Sequence, residues 1–290
     1  LQNATLPNAN SSTKTQTIHS RKNAWSGKGE IKMIVYSSSC SFGAPCSHPV
    51  YSEVVAKNLN CDLVNNGKSG SCNRRIIRTA LRDCNELSLE HQDILVLIGL
   101  TFISRTELWR NDLPAAGNDG HFHSITADWD KFDWSNGLID TIVPDIHKHV
   151  DSQIEEYYKQ WLIHYDRESV MTELCADLLM LTGWFKSKNI KYIVFSNVDK
   201  LESAEYIGYN SPFISSLQQS LKQDPALVDP WEFSFGTFAL EQGLRPKDEN
   251  KFGKHGHPGK QAHFLFGEYL TDFYNNFYQN EDIKKPMEVK

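Results

Sequence analysis

The sequence predicts an α/β fold built on a mainly parallel central sheet. Short β-branched apolar runs alternate with helix-patterned stretches, and polar Ser- and Gly-rich segments follow directly on those runs. The clearest run, residues 93–99 (DILVLIG), is apolar without alternation, as a strand covered on both faces must be. Strand–helix–strand alternation of this kind makes βαβ units and hence parallel pairing.

Each element follows from its residues. Residues 31–36 form an apolar, β-branched first strand. Residues 37–49, full of Ser, Cys, Gly and Pro, read as a loop. Residues 51–59 carry Val54, Val55 and Leu59 at helical spacing, and 61–64 make a short second strand. A Gly/Asn/Ser loop at 65–73 precedes an amphipathic helix bearing Ile76, Ile77, Ala80, Leu81 and Cys84. The third strand ends at Gly99. Residues 108–150, with Trp109, Trp129 and Trp134, interrupt the alternation and read as an irregular insertion. Helices are expected at about 150–164 and 168–187, a fourth strand at 191–196, a short strand at 231–235, and helices at 211–223 and 261–276. Ligands of open parallel sheets bind at the carboxyl ends of strands, so loops 37–49, 65–73 and 99–107 should share one rim.

Composition narrows the function classes. The 290 residues are 40% hydrophobic and 23% charged with seven Trp, so a full core is available. No apolar run approaches the roughly 18 residues of a membrane span, and no membrane role is expected. Thirty basic against 36 acidic side chains give a net charge of −6, which does not suit a nucleic-acid partner. Arg74, Arg75, Arg78 and Arg82 fall at helical spacing and read as a solvated helix face. The six cysteines form no CxxC pair and read as reduced residues of the core or its margins, which leaves the compartment open.

Three segments are expected: a polar arm or linker at 1–29, one catalytic-type domain at 30–280, and a tail at 281–290. The arm begins at Leu1 rather than Met, which reads as processed or trimmed, and it lacks a signal-peptide core. Asn3 and Asn10 match the glycosylation pattern, a cheap match in a polar tail. The arm suggests attachment to a larger assembly, and a virion-associated or secreted protein fits that.

Four stretches point to chemistry: Ser37–Gly43 after the first strand, Asn66–Ser71 after the second, Gly99-Leu100-Thr101 after the third, and His255-Gly256-His257-Pro258 before the last helix. Acyl transfer through serine needs an exposed hydroxyl on a turn, an imidazole to take its proton, and donors aimed at the oxyanion. Ser39, His257, and the set Ser39 N–H, Gly70 N–H and Thr101 fit those roles. His255 is a second candidate base.

These blocks resemble the SGNH/GDSL hydrolase superfamily. Ser39, Cys40, Ser41 and Gly43 match the latter part of its Gly-Asp-Ser-x-(Ser/Thr)-x-Gly block. Asn65/Asn66, Gly67, Ser69 and Gly70 match its second block, Gly99 and Thr101 its Gly-x-Asn, and His257-Pro258 its Asp-x-x-His-Pro. The chain is most similar to a divergent branch common in phage and marine bacteria. That branch reads Gly-Cys-Ser-Phe-Thr-x-Gly, then Gly-x-Ser-Asn-x-Arg-Ile, then Ile-Gly-(Trp/Leu)-Thr with a following Arg. Here Asn73, Arg75, Ile76 and Arg105 extend the match.

The resemblance implies a three-layer α/β/α sandwich of flavodoxin-like type and a serine esterase or deacylase without cofactor. An O-acetyl group on a carbohydrate is a plausible substrate. Asn73 and Arg105 would bind substrate, although Asn73 also suits a helix cap and Arg105 a salt bridge to Glu107. The departures are Ser37-Ser38 before the nucleophile, Thr101 for Asn, and Lys254-His255 where the triad Asp belongs. Asp248 or Glu249 would then have to reach in, or a Ser–His dyad would operate. The rival reading is a binding or structural module with its chemistry weakened. Metal at His121, His123, His147, His149 and Asp128 is disfavoured, since paired loop histidines arise readily by chance. A P-loop fails because Asp62 stands where its first Gly belongs, and no Rossmann Gly pattern follows strand one.

Overall fold

The structure is a computed structural model and describes residues 33–91, 93–103, 105–109, 122–126, 132–133, 138–139, 160, 166–198, 200–201, 212–244 and 257–279. The polar arm, the 281–290 tail and the helix expected at about 150–164 lie outside them, apart from residue 160.

Strands β1 (Ile34–Ser39), β2 (Asp62–Asn65), β3 (Ile94–Leu100) and β8 (Lys191–Ser196) form a four-stranded parallel sheet in the order β2-β1-β3-β8. From β1 the chain winds outward to β2, then crosses to β3 on the other side. The point of reversal, between β1 and β3, is where a crevice opens at the strand ends of such sheets.

Alternation along each strand sorts the core into two layers. Ile34, Tyr36, Val96, Ile98 and Val194 face α2 (Asn73–Glu90) and α3 (Arg167–Ser187), whose Ile76, Ala80, Leu178 and Leu181 complete one cluster. Val35, Leu95, Leu97, Ile193 and Phe195 face α1 (Tyr51–Asn58), α5 (Phe235–Glu241) and α6 (Lys260–Tyr274) through Tyr51, Val55, Phe235 and Phe266. The expected three layers are thus present. A fourth helix after β8, α4 (Pro212–Lys222), adds Ile214 and Leu221 to the first cluster.

Two elements differ from expectation. β1 does not stop at residue 36 but runs through Ser39; Ser38 finds partners on α2, its Oγ donating to Ile76 O at 3.1 Å and lying 3.2 Å from Thr79 Oγ1. The strand expected at 231–235 is a turn followed by α5, whose N-cap Ser234 accepts from Thr237 N–H at 2.9 Å. Only single parallel bridges, Val194 to Leu227 and Ser196 to Ser234, run along that edge. In the insertion, β4 (Arg105–Trp109) pairs antiparallel with β5 (Phe122–Thr126), and β6 (Phe132–Asp133) with β7 (Leu138–Ile139).

The arginine row on α2 is solvated only in part. Arg75 is buried, Arg78 grips Glu107 through two bonds of 3.0 and 2.7 Å, and Arg82 meets the buried Asp83 at 2.7 Å. Arg74, exposed, pairs with Glu173. None of the six cysteines is in a disulfide; burial pushes the Cys175 thiol up to about 12. No helix among the described residues is long and apolar enough to cross a membrane.

α1 and α6 pack closely at Gly267. A Cβ there would stand 2.5 Å from Val54 Cβ and 3.0 Å from Tyr51 O. Gly267→Ala should therefore force the helices apart and lower stability by about 1–3 kcal/mol, read as a shift in the urea midpoint. An unchanged midpoint would contradict this packing.

Candidate active site

The rim is set by strand register. Ser39 pairs with Gly99, so Ser41 and Thr101 lie two residues beyond the last paired positions of adjacent strands.

Ser39 itself belongs to the strand. It is fully enclosed, and its Oγ donates to Cys40 O at 3.3 Å. A Cβ on Gly43 would come within 2.3 Å of that oxygen and one on Gly67 within 2.8 Å, so the two glycines close over it. Tyr51 lies alongside, its phenol pushed up by burial against the opposing effect of the Ser39 and Asn197 side chains. These neighbours do not reach hydrogen-bond geometry with it: Ser37 Oγ, Tyr51 Oη and Asn197 Oδ1 are buried without partners. The exposed hydroxyl expected at Ser39 is therefore not found. Ser41, two residues on, is partly exposed in the turn closed by Gly43 N–H donating to Cys40 O at 3.1 Å.

The second loop is fastened from several sides. Asn66 N–H donates to Ser37 O (2.8 Å) and Lys68 N–H to Ser39 O (3.1 Å), which continues the β1–β2 edge upward. Asn65 Nδ2 donates to Gly43 O (3.0 Å), and its Oδ1 accepts from Gly67 N–H (2.8 Å). From below, Arg75 donates to Asn66 O, Asn66 Oδ1 and Ser71 Oγ at 3.1–3.2 Å. Gly70 takes φ +73°, a left-handed conformation that suits glycine and bends the loop where its amide is needed. Among the described residues, neither Ser41 N–H nor Gly70 N–H donates to a protein group.

Asn73, expected to bind substrate or cap α2, does not cap the helix. Cys72 is the N-cap, its Sγ accepting from Arg75 N–H at 3.4 Å. Asn73 instead clamps Thr101: its Oδ1 accepts from Thr101 N–H (2.8 Å) and its Nδ2 donates to Thr101 O (3.0 Å). Arg105 does not pair with Glu107, which Arg78 holds. It donates to Thr101 Oγ1 at 3.0 Å.

His257 enters with the fourth block. Its ring lies 4.9 Å from that of Phe42, the residue after Ser41, so the end of the chain meets the first loop. Beside it is a histidine the sequence analysis passed over. His263 on α6 is buried, its Nδ1 accepts from Tyr51 N–H at 3.4 Å, and its ring lies 5.3 Å from that of His48. Burial, with His48 and His257 nearby, holds its pKa down at about 3. The signal was its position four residues into an amphipathic helix behind a His-Pro start, which reads equally well as plain core. Lys254, His255, Asp248 and Glu249 lie outside the described residues, as do His121, Asp128, His147 and His149 and the side chain of His123. No group of three metal-ligating side chains gathers among the described residues.

No family model and no curated protein matches the sequence. Solved structures do. The chain is similar to the psychrotrophic esterase EstA from Pseudoalteromonas sp. at 11% identity, over 85% of this chain and 99% of that one, with a TM-score of 0.42. It is similar to an acetyl-xylooligosaccharide esterase from Geobacillus at 13% identity, over 84% and 93%, with a TM-score of 0.41. It is also similar to a member of the lipolytic protein G-D-S-L family from Veillonella parvula at 11% identity, over 86% and 99%, with a TM-score of 0.38. The structures it resembles are thus G-D-S-L lipolytic proteins and esterases.

A buried neutral histidine makes stability pH-dependent. The unfolded imidazole takes a proton near 6.5 but the folded one only near 3, so the unfolded state binds more protons in between. Stability should therefore fall as pH drops through that window, by at most about 1.4 kcal/mol per pH unit. His263→Gln, which can still accept from Tyr51 N–H, should show a flatter profile in urea unfolding from pH 7 to 4. Parallel profiles would mean His263 is protonated in the folded state.

Proposed function

We propose that this chain hydrolyses esters through a serine nucleophile, in the manner its four blocks resemble. Ser41 attacks the ester carbonyl, His257 takes its proton and delivers it to the leaving alkoxide, and water then releases the acyl group by the reverse relay. The tetrahedral oxyanion is held by Ser41 N–H, Gly70 N–H and the Thr101 hydroxyl. The supporting observation is the β1–β3 register, which brings the segments carrying Ser41 and Thr101 off adjacent strand ends while Ser39 stays enclosed within the strand.

Ser39 fits the Ser-x-Ser-x-Gly wording of the first block. The shorter Cys-Ser-Phe wording of the divergent branch puts Ser41 in that role, and the burial of the two serines favours it. An orienting acid is not part of this proposal; the chemistry is that of a Ser–His dyad. A small acyl ester, such as an O-acetyl group on a carbohydrate, is the proposed substrate, and the aromatic-rich insertion supports a sugar-bearing alcohol. The rival reading, a binding module without turnover, is favoured by the closure over Ser39 and by Lys254 in the acid's place.

Fluorophosphonate labelling with peptide mapping separates these readings. The expected adduct lies on Ser41. It should vanish in Ser41→Ala together with at least about 10³-fold of p-nitrophenyl acetate turnover, and His257→Ala should lose a comparable factor. Ser39→Ala should keep the adduct. An adduct on Ser39 would return the nucleophile to the strand, and the absence of both adduct and turnover would establish the binding module.

A further inference from the structure

The third oxyanion donor is the weakest part of that site as a set of residue types. A threonine hydroxyl stands where the resemblance calls for an amide, with a shorter reach and no second donor. The structure surrounds this hydroxyl in an unusual way. Asn73 clamps the Thr101 backbone through both its N–H and its C=O, so the residue cannot rotate away. Thr101 Oγ1 accepts from Arg105 Nη1 at 3.0 Å, and its own proton has no acceptor among the described residues. Arg105 is fixed in turn by Ser71 O at 3.4 Å and lies with its guanidinium 5.0 Å from the Phe102 ring centroid. No carboxylate among the described residues pairs with it, since Glu107 is taken by Arg78.

A hydroxyl that accepts from a cation becomes a stronger donor through its remaining proton. We propose that Arg105 acts through Thr101 as a positioning residue, and that the pair together replaces the usual amide of the oxyanion site. Positive charge sits one atom behind the hydroxyl, polarises it and aims its proton at the developing oxyanion. The inference rests on the ester-hydrolase reading above. It assigns Arg105 to the transition state rather than to a substrate substituent. The competing role, direct capture of an anionic group on the substrate, draws on Arg105 Nε, which is buried without a partner.

The test uses the full chain with two esters, neutral p-nitrophenyl acetate and the anionic p-nitrophenyl hemisuccinate. Arg105→Met should lower kcat on the neutral ester by about 10- to 100-fold while KM stays within about threefold, since a transition-state donor is weakened. Arg105→Lys, which keeps a charged donor, should recover part of the loss. Arg105→Met combined with Thr101→Val should be no slower than Thr101→Val alone, because both changes remove one donor. Unchanged kcat on the neutral ester, an effect confined to KM for the hemisuccinate, or additive losses in the double variant would each overturn the proposal. Wild-type protein without turnover on either ester would instead bring down the hydrolase reading and this inference with it. Melting curves of each variant confirm that folded protein is compared, and Arg105→Lys carries the test if Arg105→Met fails to fold.

Discussion

The site depends first on the register between two buried strands. β1 and β3 pair residue for residue from Ile34 with Ile94 to Ser39 with Gly99. Both strands are enclosed on both faces, so a shift by one residue would exchange the residues facing α2 with those facing α6. What opposes this is close packing on each face, where Tyr36, Val96 and Ile98 fit one helix layer and Val35, Leu95 and Leu97 the other. The loops after Ser39 and Leu100 therefore leave the sheet at a fixed relative height. That height, rather than any single hydrogen bond, puts Ser41 and Thr101 at one rim. The other site components are fastened to this frame: loop 65–71 by Arg75 and Asn65, Thr101 by Asn73, and the His257 segment by Phe42.

The fastening uses charge in a buried place, which is stable only when fully paired. Asp83 on α2 accepts from Tyr36 Oη (2.9 Å), Asn66 Nδ2 (2.9 Å) and Arg82 Nε (2.7 Å). Burial and the neighbouring Asp83 push the Tyr36 phenol up, so it remains a donor at any physiological pH. Arg75, one helical face away, spends its donors on the same loop. Removing either charge would leave several buried polar groups unpaired at about 1–3 kcal/mol each. Such a network ties the second loop to β1 and α2 at once and keeps Gly70 in place without side-chain contacts of its own.

Much of this was legible in the sequence. The four parallel strands, their helices and the order of the four blocks follow from periodicity and from the clustering of Gly, Ser and Asn. The end of β1 was not legible, and with it the enclosure of Ser39 within the strand. Three consecutive serines read as a loop because serine competes for backbone hydrogen bonds and favours turns. Here the fold overrides that preference: Ser38 bonds α2, and Ser39 is sealed by Gly43 and Gly67 with its Oγ on the next carbonyl. The arginine row failed for a similar reason. Helical spacing shows that four cations share a face, but only the fold shows that Asn66, Ser71, Glu107 and Asp83 cover it. Asn73 suited a cap by its position at a helix start, and Cys72 displaced it by one residue.

Beneath the turn, Ser37, Tyr51 and Asn197 hold polar atoms that lack partners, an unfavourable arrangement for a core. Their position explains why it is tolerated. Gly43 and Gly67 approach so closely that a side chain on either would strike Ser39 or Tyr51, and Asn197 occupies the space a side chain on Gly99 would need. Three close approaches crowd hydroxyls and an amide around one strand end. Apolar side chains of equal volume would satisfy packing but remove the polar surface against which the turn backbone lies. The first loop is held from the side by Asn65. In that arrangement Ser39 is enclosed and Ser41 is partly exposed. The same serine-rich segment thus serves two layers of the molecule. Ser39 belongs to the strand and its helices, and Ser41 to the turn at the rim.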